Sequence, residues 1–263
     1  MSTKKVLVSG CNGCMGGLVT RLIAEKDDLE VTAGFDKSEN HSFSFPVLTS
    51  LPMHRAEHFI SVPGGRTIEV PDVIIDFSSP TATEAVLRFA SFYGGIPTVI
   101  ATTGISKQLQ WEIEWQSKEF PIFQSANMSY EIAVLKDLAV MATSKLHDCS
   151  DIEILERHHN RKKDIPSGTA LMLAESINNS IGSTREIVCN RTEKRQPNEI
   201  GISSIRGGNI VGVHDISFYT KYGEITLSET CYSRESFAEG AIKAAKWLIN
   251  QEPNLYTMDD LLK

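Results

Sequence analysis

The feature that most limits how this chain folds is a succession of short, unbroken apolar runs separated by helical patterns. Lys5-Val6-Leu7-Val8-Ser9 comes first and stops at Gly10. Glu30-Val31-Thr32-Ala33-Gly34-Phe35 follows and stops at Asp36. Val73-Ile74-Ile75-Asp76-Phe77, Thr98-Val99-Ile100-Ala101 and Pro121-Ile122-Phe123-Gln124 complete the series. Between them, residues from about Met15 to Lys26 and from Thr81 to about Phe92 read as helices, with Leu18, Leu22 and Ile23 on one face of the first. Strands without polar alternation, spaced by helices, belong in a parallel sheet covered on both faces. An N-terminal doubly wound α/β domain is therefore expected. Residues 37–70 hold several prolines and glycines; they read as connecting loops, and no chemistry is assigned to them.

The pattern changes after a long helical stretch from about Tyr130 to Leu146. Asp151-Ile152-Glu153-Ile154-Leu155-Glu156 alternates, as do Ile200–Ser203, Val211–His214 and Glu224–Leu227. Half-exposed strands in a row, with one short helix near 168–179, predict a second, smaller α+β domain. A last helix runs from Arg234 to about Asn250 with Phe237, Ala241, Ala245 and Leu248 on one stripe.

Composition narrows the function classes. Over 263 residues, apolar residues make up 41% and charged residues 22%, as in an ordinary globular chain. The net charge of −7 argues against nucleic-acid binding through bulk positive charge. No stretch approaches the ~20 apolar residues of a membrane span, and no signal peptide is read, so a cytoplasmic location is expected. The odd set of five cysteines suggests reduced thiols. Cys11 and Cys14 form a C-x-x-C, but inside a glycine loop, so neither a redox pair nor a metal site is expected there.

That loop, Gly10-Cys11-Asn12-Gly13-Cys14-Met15-Gly16, lies between the first strand and the first helix. It is a G-x-x-G-x-x-G variant of the dinucleotide fingerprint, in which glycines let the backbone approach a pyrophosphate at a helix N-terminus. The second strand ends at Asp36, at about the 20-residue distance expected of the acid that binds the ribose hydroxyls. A Rossmann-type domain follows from these features. Asp36 favours NADH, while Lys37 beside it offers a counter-charge to a 2′-phosphate; NADH is expected, with NADPH also accepted.

The most informative segment is Glu156-Arg157-His158-His159-Asn160-Arg161-Lys162-Lys163-Asp164-Ile165-Pro166-Ser167-Gly168-Thr169-Ala170. Pro166 keeps the residue before it extended, so the helix cannot start earlier. Ser167 is then an N-cap, and the Gly168 and Thr169 amides point free as an anion site. Arg157, Arg161, Lys162 and Lys163 crowd the approach, a local anion trap in an acidic chain. His158 titrates near neutrality and Lys162 is tunable by neighbouring charge, so either can deliver a proton.

This segment resembles the H-H-x-x-K-x-D-x-P-S-G-T-A motif of the 4-hydroxy-tetrahydrodipicolinate (dihydrodipicolinate) reductase family. Ile75–Ser78, Ala101–Gly104, Ala126–Ser129, Arg206–Gly208 with Val211–His214, and Ser233-Arg234 leading to Gly240-Ala241 are also similar, so the resemblance spans the chain. It implies a reductase of lysine and diaminopimelate biosynthesis acting on a small dicarboxylate. It makes His158 and Lys162 catalytic, and His159, Ser167, Gly168 and Thr169 substrate contacts. Gly10, Cys11, Asn12, Gly13, Cys14, Met15, Asp36, Ala101, Thr102, Thr103, Ser125, Ala126, Asn127 and Met128 become cofactor contacts, to which the reading of the second strand's end adds Lys37. It further implies that the last helix returns to the first domain: residues 1–126 with 231–263 bind the dinucleotide, and 127–230 form a substrate and oligomerisation domain. Family members are typically homotetramers built through the sheets of that second domain.

Three positions depart from the family pattern: Cys14 where a basic residue is frequent, Ala101 for the usual glycine, and Glu229 where a histidine is common. The alternatives are another small Rossmann reductase, such as an amino-acid or semialdehyde dehydrogenase, and a non-catalytic NAD(H)-sensing regulator. The intact His158-to-Ala170 segment speaks against both.

Overall fold

Parallel pairing governs the first half of the computed structural model, which describes residues 2–40, 42–53, 59–62 and 66–263. Its strands are β1 (Lys4–Ser9), β2 (Leu29–Phe35), β3 (Val47–Leu48), the pair β4 (Phe59–Val62) and β5 (Arg66–Glu69), β6 (Val73–Asp76), β7 (Thr98–Ile100) and β8 (Ile122–Gln124). With β14 (Leu255–Tyr256) they give a seven-stranded sheet, β14-β8-β7-β6-β1-β2-β3, plus the separate β4–β5 ladder. Every pair in the large sheet is parallel. The chain steps outward from β1 to β3, then resumes on the other side of β1 with β6. The order thus reverses between β1 and β6, and in such sheets ligands bind beyond the carboxyl ends of the strands at that point.

The strand runs lack polar alternation because both faces are covered. Leu7, Ile74, Ile100 and Ile122 join Val86 and Phe89 of α2 (Pro80–Phe92) and Leu109 and Ile113 of α3 (Lys107–Gln116) in one core. α1 (Cys14–Ile23) packs beside α6 (Glu235–Leu248), whose Ala238, Ala241, Ala245 and Leu248 are fully buried. Lys26–Glu239 at 3.0 Å and Lys246–Asp28 at 2.6 Å fringe this contact. Such exposed pairs add little beside the apolar burial.

Residues 37–70 are not loops alone. They supply β3 and the antiparallel β4–β5 ladder, in which Ile60 pairs with Ile68 and both enter the core. The short runs escape detection by period because the prolines and glycines around them dominate the local signal. Residues 41, 54–58 and 63–65 of this stretch lie outside the described residues. Two short elements at the end of the chain, β14 and α7 (Met258–Leu261), were also not anticipated.

The chain divides into two compact units, Met1–Ser129 with Glu235–Lys263, and Tyr130–Arg234. The second holds α4 (Tyr130–Leu146), α5 (Gly168–Ser180) and a sheet ordered β10-β11-β9-β12-β13. These strands are β9 (Asp151–His158), β10 (Glu186–Cys189), β11 (Glu199–Arg206), β12 (Gly212–Tyr219) and β13 (Glu224–Cys231). They run longer than their alternation alone indicates; β9 continues through His158. Ile152, Ile154, Ile200, Ile202, Ile216 and Phe218 form its core with Leu135 of α4 and Leu173 and Ile177 of α5. Among the described residues no helix is long and apolar enough to cross a membrane.

Candidate active site

One face of the second sheet changes character along its length. On β9, Ile152 and Ile154 give way at the same parity to Glu156 and His158. The registers carry the change across the sheet. Ile154 lies opposite Ile216 and Ile202, whereas Glu156 lies opposite His214 and Ser204. His158 faces Arg206, and His214 faces Glu229 on β13. An apolar, helix-covered face thus ends in a buried polar cluster.

Glu156, completely buried, is the hub of that cluster. Arg206 Nη1 and Nη2 each donate to it at 2.7 Å and the Ser167 backbone N–H at 3.1 Å, and His158 Nδ1 lies 2.6 Å from it. Burial alone raises a carboxyl pKa, but these bonds, above all from Arg206, outweigh it and hold Glu156 down at about 2. His158 is shifted below its ordinary value by burial, which outweighs the opposing charge of Glu156. Its Nε2 borders Gly212, where a Cβ would come within 3.2 Å. The His214 ring stands edge-on at 5.3 Å, with its Nδ1 3.4 Å from Glu229 and its Nε2 buried without a partner among the described residues.

Beyond β9 the segment turns back, with the Lys162 amide donating to the His159 carbonyl at 3.1 Å. Lys162 Nζ pairs with Asp164 at 2.8 Å. Ser167 caps α5 as expected, accepting from the Ala170 amide at 3.1 Å, and Thr169 is half-buried in the first turn. The amides at this helix start are not free, however. Ser167 donates to Glu156, and the Gly168 amide is directed at Asp164, whose carboxyl is held low first by Lys162. A helix N-terminus attracts any carboxylate within reach, and here the chain's own acids reach it.

The cation cluster also differs in membership. Arg157 points to the opposite face and pairs with Asp215 at 2.6 Å, because odd and even residues of a strand part company. Lys163 is exposed. In their place stand Arg206 and Arg234. His159, its Nδ1 buried and unpartnered, is pushed below its ordinary pKa by burial and then by Arg161, Arg234, Lys162 and Arg206. Glu156, Arg206 and Arg234 carried no role from sequence. The parity of Glu156 with Ile152 and Ile154, two residues ahead of His158, was the signal available for it.

In the first unit the expected cofactor residues gather at the carboxyl ends of the strands. Gly10 has φ +78°, and a Cβ there would lie 2.5 Å from the Phe77 carbonyl oxygen. The Gly13 amide donates to the Gly10 carbonyl at 2.9 Å, and no side chain caps α1 at Gly13. Asp36 accepts from the Asn12 amide at 2.9 Å and the Lys37 amide at 2.7 Å. Gly10, Asn12, Gly13, Asp36 and Lys37 line a cleft of about 620 Å³ with Phe77, Ser78, Thr49 and Arg88. A backbone cradle, an uncapped helix start and an acid at the end of the second strand fit a dinucleotide. Cys11 is buried against Gly34 with its thiol pushed up to about 11 by burial and then by Asp36, while Cys14 is exposed and Met15 half-buried.

Part of the remaining set is arranged around a buried acid. Asp76 accepts from Thr102 Oγ1 at 3.0 Å, from Thr83 Oγ1 at 2.6 Å and from Ser78 Oγ. The Thr102 side chain therefore joins the loops after β6 and β7 and does not project into open space. Ala101 is buried and Thr103 exposed. Ser125 Oγ donates to the Asn127 carbonyl at 2.6 Å, Asn127 Oδ1 accepts from the Ser129 amide at 2.9 Å, Met128 is buried and Ala126 exposed.

A family model described as "Dihydrodipicolinate reductase, N-terminus" matches residues 4–128, and one described as "Dihydrodipicolinate reductase, C-terminus" matches 131–262. The chain belongs to the dihydrodipicolinate reductase family. It is similar to the 4-hydroxy-tetrahydrodipicolinate reductase of Caldanaerobacter subterraneus subsp. tengcongensis, with 47% identity over 98% of each chain. It is also 40% identical to that of Clostridium tetani, over 98% of this chain and 96% of the relative. A dipicolinate-bound dihydrodipicolinate reductase from Paenisporosarcina sp. TG-14 shares the fold, with a TM-score of 0.77 at 20% identity, over 97% of this chain and 98% of that one. An amine dehydrogenase from Mycobacterium smegmatis shares it more distantly, at 0.63 and 11% over 98% of this chain and 96% of that one. As a dihydrodipicolinate reductase family member, the chain is an NAD(P)H-dependent oxidoreductase.

Proposed function

We propose that the chain reduces 4-hydroxy-tetrahydrodipicolinate to tetrahydrodipicolinate in lysine and diaminopimelate biosynthesis, with NADH preferred and NADPH accepted. The observation that carries this reading is the convergence of His158, His159, Lys162, Arg206 and Arg234 on one segment that ends at the α5 N-terminus. Loss of water from the hydroxylated ring leaves a C=C bond conjugated with the ring C=N bond, and the dihydronicotinamide, when bound, would supply a hydride to C4 of that conjugated system.

The chain's own residues do the rest. Arg161, Arg234 and the α5 start draw in the two carboxylates, which fixes the ring and lowers the entropy cost of reaction. Lys162 Nζ gives a proton to the carbon next to the one reduced, and His158, placed with it, stabilises the negative charge that develops. Proton delivery of this kind contributes ~10²–10⁴ in rate. Asp164 must yield Lys162 and the Gly168 amide when a substrate carboxylate arrives.

Cofactor preference rests on Asp36, whose charge repels a 2′-phosphate, set against Lys37 and Arg88 in the same cleft, which would attract it. All five cysteines carry free thiols, which suits a reducing, cytoplasmic setting. A homotetramer joined through the helix-free face of the second sheet, where Ile205 and Tyr219 lie exposed, completes the reading and is checked by sedimentation.

The test is loss of nicotinamide absorbance on mixing with freshly generated 4-hydroxy-tetrahydrodipicolinate, with NADH and NADPH in parallel. Rapid oxidation, faster with NADH, is expected. Protein that binds the cofactor yet oxidises neither would overturn the reading and favour a sensor.

A further inference from the structure

We propose that Glu156 is a positioning residue of the reaction: one buried carboxylate that sets the His158 tautomer and anchors the α5 N-terminus. The inference rests on the role given to His158 above. Its starting point is the cost of the arrangement. An ionised carboxylate with no exposed surface gives up its hydration, a loss its partners must offset. The residues before it on the same face are isoleucines, so an apolar side chain would satisfy packing there.

Each oxygen instead has assigned partners. Oε2 takes Arg206 Nη1 and His158 Nδ1; Oε1 takes Arg206 Nη2 and the Ser167 amide. A carboxylate flanked by a guanidinium only accepts, so Nδ1 must carry the hydrogen in neutral His158. Nε2 is then the nitrogen that gains and loses a proton. Arg206 Nη2 also donates to the Asp164 carbonyl at 2.7 Å, and Asp164 pairs with Lys162. The His158 ring, the start of α5 and the turn carrying Lys162 therefore share one reference point. The groups facing His158 are Glu156 on its own strand, Arg206 from β11, His214 from β12 and Lys162 from the following turn.

The test begins with the unaltered protein, by long-range ¹H–¹⁵N spectra of the histidine rings, with His158 assigned by its loss in His158→Gln. Above its titration His158 should show a protonated Nδ1 and a bare Nε2; the opposite tautomer would overturn the proposal. In Glu156→Gln the His158 titration should move to lower pH, since a negative neighbour is gone and Arg206 remains. Its kcat should fall on the order of tenfold or more, with the NADH dissociation constant unchanged. A folded Glu156→Gln with wild-type kcat and titration would also overturn it. If that variant does not fold, the tautomer in the unaltered protein decides. Full kcat in His158→Gln would instead remove His158 from the reaction, and with it the catalytic consequence of Glu156.

Discussion

At the carboxyl ends of β1 and β2, room for a ligand comes from atoms left out. Gly10, Gly13 and Gly16 bring backbone against backbone, and Asp36 spends its oxygens on two loop amides. At the end of β9, room comes from charge put in: a buried Glu156 and a half-buried Arg206 hold His158 and the α5 start in place. The first construction tolerates many side chains but no added Cβ. The second depends on every charge having its partner. Substitutions at the two ends should therefore fail in different ways.

The largest expected effect comes from Lys162→Ala. It should lower kcat by ~10²–10⁴ while leaving NADH affinity as it was. Stopped-flow rates and fluorescence titration of NADH separate the two. If affinity fell along with kcat, or kcat were kept, the division of labour between the ends would be broken.

Acid should expose the charged end next. Glu156 titrates near 2 in the folded chain against an ordinary 4.5, so its contribution is fully present above 4.5 and lost as pH falls from there toward 2. The difference corresponds to about 3 kcal/mol. Urea unfolding followed from pH 5 to pH 3 should show the loss, and Glu156→Gln should flatten it. An equally steep loss in that variant would place the acid sensitivity elsewhere.

Gly16→Ala should cost less and act on the other end. Its Cβ would stand 2.1 Å from the Gly10 carbonyl oxygen, so the loop must shift. A destabilisation of about 1–3 kcal/mol is expected, with weaker NADH binding. Single-turnover rates at saturating NADH should stay close to wild type.

The same contrast explains what the sequence makes legible. The glycine loop and the apolar runs announce themselves because backbone geometry and two-sided burial restrict residue type locally. Ser167 is legible as a cap for the same reason. Glu156 and Arg206 meet only through strand register, 50 residues apart, and Arg157 looks like a site cation until pleating turns it away. The apparent freedom of the Gly168 amide failed likewise, since nothing local reveals that Asp164 folds onto it. In the first unit, the pairing of Thr102 with Asp76 is equally invisible before β6 and β7 are adjacent.

The smallest effect, and the most discriminating about the cofactor end, is expected of Asp36→Asn. The amide oxygen still accepts one of the two loop N–H groups, from Asn12 or Lys37, so the loop keeps most of its shape. What disappears is a negative charge at the cleft that also holds Lys37 and Arg88. Near a surface, removing one such charge is worth on the order of 1 kcal/mol. The ratio of kcat/KM for NADPH over NADH should then rise about five- to tenfold, chiefly through KM for NADPH, and the rise should shrink at high salt. Adding Arg88→Ala should take back part of it. An unchanged ratio would mean that the 2′ position lies away from Asp36, and that the cofactor end selects by shape alone.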